Sequence, residues 1–218
     1  MLVGCPHNAH LDFIGAVYKT VIQPAVNGLL INPNNEFPLN YVPLHTLVAF
    51  VHAEGAWDAR QAYLTAMREW LPQFATVGQP VALADLILFG DCYYLPHEEG
   101  AEAEAFYQCT LAALNGNHAA SDDQPVAFRS VVARLREFCV RLTELRDRPL
   151  FYALSRRIWE LREELDLLER YVGGKSESAN HNASCTSDFH LPGTYRGGMV
   201  ARLQRLLIQR PDGTFEFP

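Results

Sequence analysis

The one adjacent pair of aspartates in this chain, Asp122 and Asp123, is the first place to look for acid–base chemistry, because carboxylates are common proton-transfer groups. The pair lies in HAASDDQPV, just ahead of a helical pattern, where acidic side chains favour the positive end of the helix. It is read as a helix-start feature and not as a catalytic pair. The eight histidines are scattered, and no two stand four apart with a third ligand in view, as a helical zinc site would need. The five cysteines, Cys5, Cys92, Cys109, Cys139 and Cys185, are odd in number and far apart. That fits neither a disulfide framework nor a CxxC metal site. Cys109 and Cys139 fall on apolar helix faces, where a thiol behaves as a small hydrophobe. No metal and no cofactor are expected. Asn182-Ala183-Ser184 matches a glycosylation sequon, which matters only in a secreted chain.

The elements that would carry these residues are mostly helices. Only the first stretch, to about residue 54, has an α/β character: GLLI at 28–31 reads as a buried strand, and Asn32-Pro33-Asn34-Asn35 as a turn. A helix is predicted from Tyr41 to Val51, with Tyr41, Leu44, Leu47, Val48 and Val51 on its apolar face. The stretch 58–74 places Ala62, Tyr63, Ala66, Trp70 and Phe74 on one side. Helices are predicted over 82–93, stopping near Leu95-Pro96, and over 100–115, ended by Asn115-Gly116-Asn117.

The strongest periodicity lies between 126 and 172. Phe128, Val131, Leu135, Phe138, Leu142 and Leu145 recur at spacings of three and four, and so do Leu154, Ile158, Leu161, Leu165, Leu168 and Val172. Arg148-Pro149 is read as the break between the runs, giving an antiparallel helical hairpin with a bundle-type seam. Gly173-Gly174 signals the end of its second helix. Residues 175–192 read as a surface loop, 198–209 as a last helix, and Pro211-Asp212-Gly213 as a turn into an extended TFEF. The expected fold class is therefore mainly α, a helical bundle with a long antiparallel hairpin after a short α/β segment.

Among 218 residues, 49% are hydrophobic and 20% charged, enough to bury a real core. A formal net charge of −7 argues against a sequence-independent nucleic-acid binder, which needs a basic face. No stretch approaches the roughly 20 apolar residues that span a bilayer, and MLVGCPHNAHLDF lacks the plan of a secretion signal. No nucleic acid or membrane partner is expected, and the location is expected to be cytoplasmic, or nucleocytoplasmic in a eukaryote.

Three stretches in order resemble the O-GlcNAcase family, glycosidases that remove N-acetylglucosamine from protein serine and threonine. GLLINPNNEFPLNYVPLHTLVAF is similar to the last strand and helix of that family's catalytic (β/α)8 barrel. PVALADLILFGDCYYLPHEEG resembles the start of its helical stalk, and TYRGGMVARLQRLL the stalk's final helix. The resemblance implies a barrel remnant over 1–54 and a stalk domain over 55–218. It implies substrate-assisted hydrolysis by two adjacent aspartates early in the barrel, before the segment present here. A barrel needs about 250 residues, so this chain alone is expected not to be catalytic.

The resemblance also suggests substrate-binding residues. Asn32 matches an asparagine after the last barrel strand that bonds the sugar; the alternative is an Asx turn into Pro33. His7, Asp12 and Phe13 match the preceding sugar loop only loosely, and the spacing to Tyr18-Lys19 is short, so a frayed terminus is the default. Trp159 follows the seam residue Ile158 and so points about 100° from the seam on helix geometry. It matches a tryptophan lining the peptide cleft across the dimer; packing against a neighbouring helix is the alternative. Tyr195 and Arg196, before Gly197-Gly198, open the helix that the family exchanges between protomers, and Gly193 stands where a tryptophan is frequent. Arg202, Arg205 and Arg210 read as a solvated face.

The expected partners are a second copy of the chain, with the C-terminal helix exchanged, and an O-GlcNAc-modified protein or peptide in a full-length context. The competing readings are a stand-alone helical dimerisation module and a hydrolase using residues of another kind.

Overall fold

The computed structural model describes residues 35–54, 57–93, 100–114 and 123–177, together with 208–209, 211 and 215–216. The strand expected at 28–31, the turn at 115–117 and most of the last helix lie outside the described residues. What is described is mainly helical. A 3-10 turn, Phe37–Asn40, leads into α1, Tyr41–His52. Then come α2, Ala59–Trp70, with a 3-10 extension Leu71–Phe74, and α3, Leu83–Tyr93. α4 is Ala101–Leu114, α5 Asp123–Thr143 and α6 Arg148–Glu177. These helices form two compact units, and α3, α5 and α6 contribute residues to both.

The first unit holds α1, α2, the start of α3 and the turn joining α5 to α6. Asp58 caps α2, its Oδ1 accepting from the Gln61 amide at 2.9 Å. Tyr41 stacks flat on Trp70 with centroids 5.8 Å apart, and Trp70 meets Phe74 edge-on at 4.8 Å. Phe50 takes Trp57 edge-on at 5.0 Å. These aromatic pairs fix the rotation of α1. Its buried face is Val42, Thr46 and Phe50, while Leu44 and Val48 are 40% and 56% exposed. The expected apolar face of α1 is thus corrected. Thr46 tolerates complete burial because its hydroxyl donates to the Val42 carbonyl at 2.9 Å.

The turn at 144–147 is clipped to the strand-like segment after α2. The Val77 amide donates to the Glu144 carbonyl at 3.0 Å, and the Arg146 amide to Ala75 at 2.9 Å. Asp147 then caps α6, its Oδ1 accepting from the Leu150 amide at 3.0 Å. Arg148-Pro149 is therefore not the break between the helices but the first turn of α6, where proline's missing N–H costs nothing. At the other end the backbone of α6 runs through Gly173-Gly174 to Glu177. Glycine costs a helix only about 1 kcal/mol, which a long helix can absorb.

The second unit holds α4 with the larger parts of α5 and α6. Phe106 stacks on Phe128 at 6.2 Å, and Phe89 meets Phe138 at 5.5 Å. The expected seam is buried: Leu135, Leu161, Leu165 and Leu168 are at most 1% exposed. Val132, not Val131, is the buried valine of α5. Arg136 on α5 pairs with Asp166 and Glu169 on α6, and Arg134 with Glu102 on α4. Each fully buried leucine contributes about 2 kcal/mol, whereas such half-exposed ion pairs contribute about 0.5 kcal/mol. The seam, and not the charges, holds the hairpin.

Near the C-terminus Ile208–Gln209 pairs antiparallel with Phe215–Glu216, around Pro211. The helix expected over 198–209 therefore does not include its last two residues. Pro211 lies in a turn between the paired segments, and β-branched Ile208 suits the extended state.

Candidate functional site

Trp159 is the one substrate-binding candidate within the described residues; Asn32, Tyr195 and Arg196 lie outside them, as do His7, Asp12 and Phe13. α6 sets its direction. Leu154, Ile158, Leu161 and Leu165 turn inward, and Trp159, one residue past Ile158, is 53% exposed. Arg156 lies one turn before it, with its Nε 2.8 Å from Glu160 Oε1. The Glu160 side chain is only 7% exposed, so the arginine reaches in to a buried carboxylate from the surface. The half-exposed indole, one turn past Arg156, offers a flat apolar surface to solvent.

Polar groups lie beneath that surface. The Tyr93 hydroxyl donates to the Arg157 carbonyl. Burial pushes the Tyr93 phenol well above its ordinary range, and Cys92 and Glu160 push the same way. Burial also pushes the Cys139 thiol up to about 12, against the opposing pull of Arg162. Both groups stay protonated at neutral pH, so neither supplies a nucleophile or base. Glu164 and Asp91 are buried as well, at 0% and 1% exposure. These buried carboxylates escaped the sequence reading. A signal existed for Glu164, which is three residues past Leu161 and four before Leu168 and therefore flanks the seam.

Asp123 opens α5, which is the position of a helix-start residue; Asp122 lies outside the described residues. Among the described residues no group of three or more His, Cys, Asp or Glu is placed to hold a metal ion. Nor is any described helix long and apolar enough to cross a membrane.

No family model matches the chain. The curated rat and mouse proteins named Protein O-GlcNAcase are each 24% identical to it over 143 residues, 59% of this chain. The chain spans only 16% of the length of these relatives. In sequence, then, it is O-GlcNAcase-like at the level of distant similarity.

Proposed function

We propose that this chain is the helical stalk region of an O-GlcNAcase-like β-N-acetylglucosaminidase. In this reading it self-associates as a homodimer and contributes Trp159 to the wall of a substrate-peptide cleft. The observation that carries the reading is a half-exposed indole on the outer side of a hairpin whose leucine seam is fully buried. A large aromatic held in water by rigid packing costs apolar exposure, and binding a partner recovers it. The distant likeness to Protein O-GlcNAcase supplies the substrate class, an O-GlcNAc-modified protein. Residues 1–54 would be the end of a catalytic barrel, with Asn32 at its sugar. Tyr195 and Arg196 would lie at the start of an exchanged helix.

The seam itself is satisfied within one chain. Association would therefore draw on surface apolar groups, such as Val126 and Val140 at 63% and 52% exposure, and on the exchanged segment. In this reading the aspartates of the reaction belong to the barrel and not to the stalk, and the stalk does not cleave a glycoside by itself.

Light scattering on the purified chain at micromolar concentration is expected to give twice the 24.5 kDa chain mass. A monomer would defeat the dimer. Incubation with an aryl N-acetylglucosaminide is expected to release no phenol above background, and steady turnover would defeat the non-catalytic reading. A plain helical module would form the same hairpin, but adding a catalytic barrel would not make peptide capture depend on Trp159.

A further inference from the structure

We infer that the outer face of α6 around Trp159 selects acidic peptide segments, those with carboxylates about three residues apart. The inference rests on the cleft reading above and narrows its substrate class. The segment 155–166 carries cations and anions in similar number, yet its most exposed and most buried charges differ in sign. Glu160 and Glu164 are buried at 6% and 0% exposure, while Arg162 is exposed and the Arg156 side chain is 65% exposed. Asp166, one turn past Arg162, is engaged by Arg136 from α5. Arg157 is half-buried, and so is Glu163, which lies on the outer side about 20° around the helix from Arg156. An ordinary solvated helix face mixes both signs. Here the outermost groups are arginine, tryptophan and arginine, in a protein whose net charge is −7.

The spacing selects the ligand. Arg156, Trp159 and Arg162 follow one another at intervals of three, so each neighbours the next along a stripe that winds about 120° around the helix from the first arginine to the second. The two arginines are about 9 Å apart along the helix axis, at 1.5 Å per residue. An extended peptide covers that distance in about three residues at roughly 3.3 Å each. Carboxylates at both ends would reach the two guanidinium groups, and the two residues between them would lie on the indole. Arg156 is partly compensated by Glu160, so Arg162 contributes the larger share of the selectivity. It makes no ion pair among the described residues.

The test is fluorescence anisotropy of the full chain with labelled unstructured peptides that differ only in charge. One carries Glu-Pro-Ser-Glu and its twin Gln-Pro-Ser-Gln; an oligothymidylate of similar length is the third probe. The acidic peptide is expected to bind about two- to tenfold more tightly than its twin, as for one or two exposed ion pairs. That preference should fade toward about 0.5 M salt. Arg162→Gln should remove most of the preference without weakening the neutral twin, and adding Arg156→Gln should remove the rest. Trp159→Ala should weaken both peptides. Twins of equal affinity, both sensitive to Trp159→Ala, would overturn the charge selection and leave the cleft reading standing. If neither peptide binds, or Trp159→Ala changes nothing, both ideas fall. A preference that survives the double glutamine variant, or tighter binding of the oligothymidylate, would also overturn the inference.

Discussion

α1 and α6 are both rich in apolar residues, but only α6 announces which side it buries. In α6 charged residues separate the leucines, so a single rotation hides Leu154, Ile158, Leu161 and Leu165 together. In α1 the polar residues are His45, Thr46 and His52, and every other position is apolar. Several rotations of α1 would bury a comparable area. The choice falls to aromatic contacts with α2 and its flanks, Tyr41 on Trp70 and Phe50 against Trp57. Contrast between faces, more than total hydrophobicity, fixes the orientation of a helix.

The sharpest way to break this comparison is at the seam. Leu161→Glu or Leu165→Glu would place a carboxylate where the leucine is 0% exposed. An unpaired buried charge costs more than about 4 kcal/mol, a large part of an ordinary domain's stability of about 5–15 kcal/mol. Far-UV circular dichroism is expected to show loss of cooperative helical unfolding. Retention of a wild-type transition by either variant would mean that the seam does not hold the hairpin.

A smaller effect distinguishes the faces of α1. Phe50 is 5% exposed and Val48 56%. Phe50→Ala should cost about 3–5 kcal/mol, from lost burial plus the cavity left behind. Val48→Ala should stay within about 0.5 kcal/mol, as surface changes do. Urea denaturation measures both. Equal costs, or the reverse order, would restore the face expected from periodicity alone.

Much of the helical layout was legible because long patterned segments leave few alternatives. The hairpin, its seam and the outward direction of Trp159 follow from spacing. The face of α1 did not, for want of polar contrast. The break placed at Arg148-Pro149 belongs three residues earlier, since proline marks a helix start as readily as a stop, and Asp147 supplies the cap. Gly173-Gly174 is a preference and not a barrier, and α6 passes through it. Glu160 and Glu164 were hidden because charged types are presumed outward unless a partner or flank position is weighed. The site was less legible than the fold. Asn32, Tyr195 and Arg196 have no marking in composition or period, and only the family resemblance singled them out.

The smallest expected effect concerns pH, and it belongs to the hairpin side of the comparison. The buried face of α1, Val42, Thr46 and Phe50, holds no acid or thiol, whereas Cys139 and Tyr93 are buried in the unit built on α5 and α6. Cys139 ionises at about 12 in the fold against an ordinary value of 9.0, and Tyr93 is raised well above 10.0. Between those limits the unfolded chain gives up protons that the folded chain keeps, so rising pH favours unfolding. The contribution is complete below pH 9 and diminishes until the native thiol ionises near 12. From Cys139 alone the loss by about pH 10 is roughly 1 kcal/mol. Urea midpoints measured at neutral pH and again up to about pH 10 should fall accordingly. Cys139→Ala will lower stability at every pH through its cavity, but it should flatten the alkaline slope, which a purely packing role would leave unchanged. An unaltered slope in that variant would place the alkaline sensitivity elsewhere than in the thiol beneath α6.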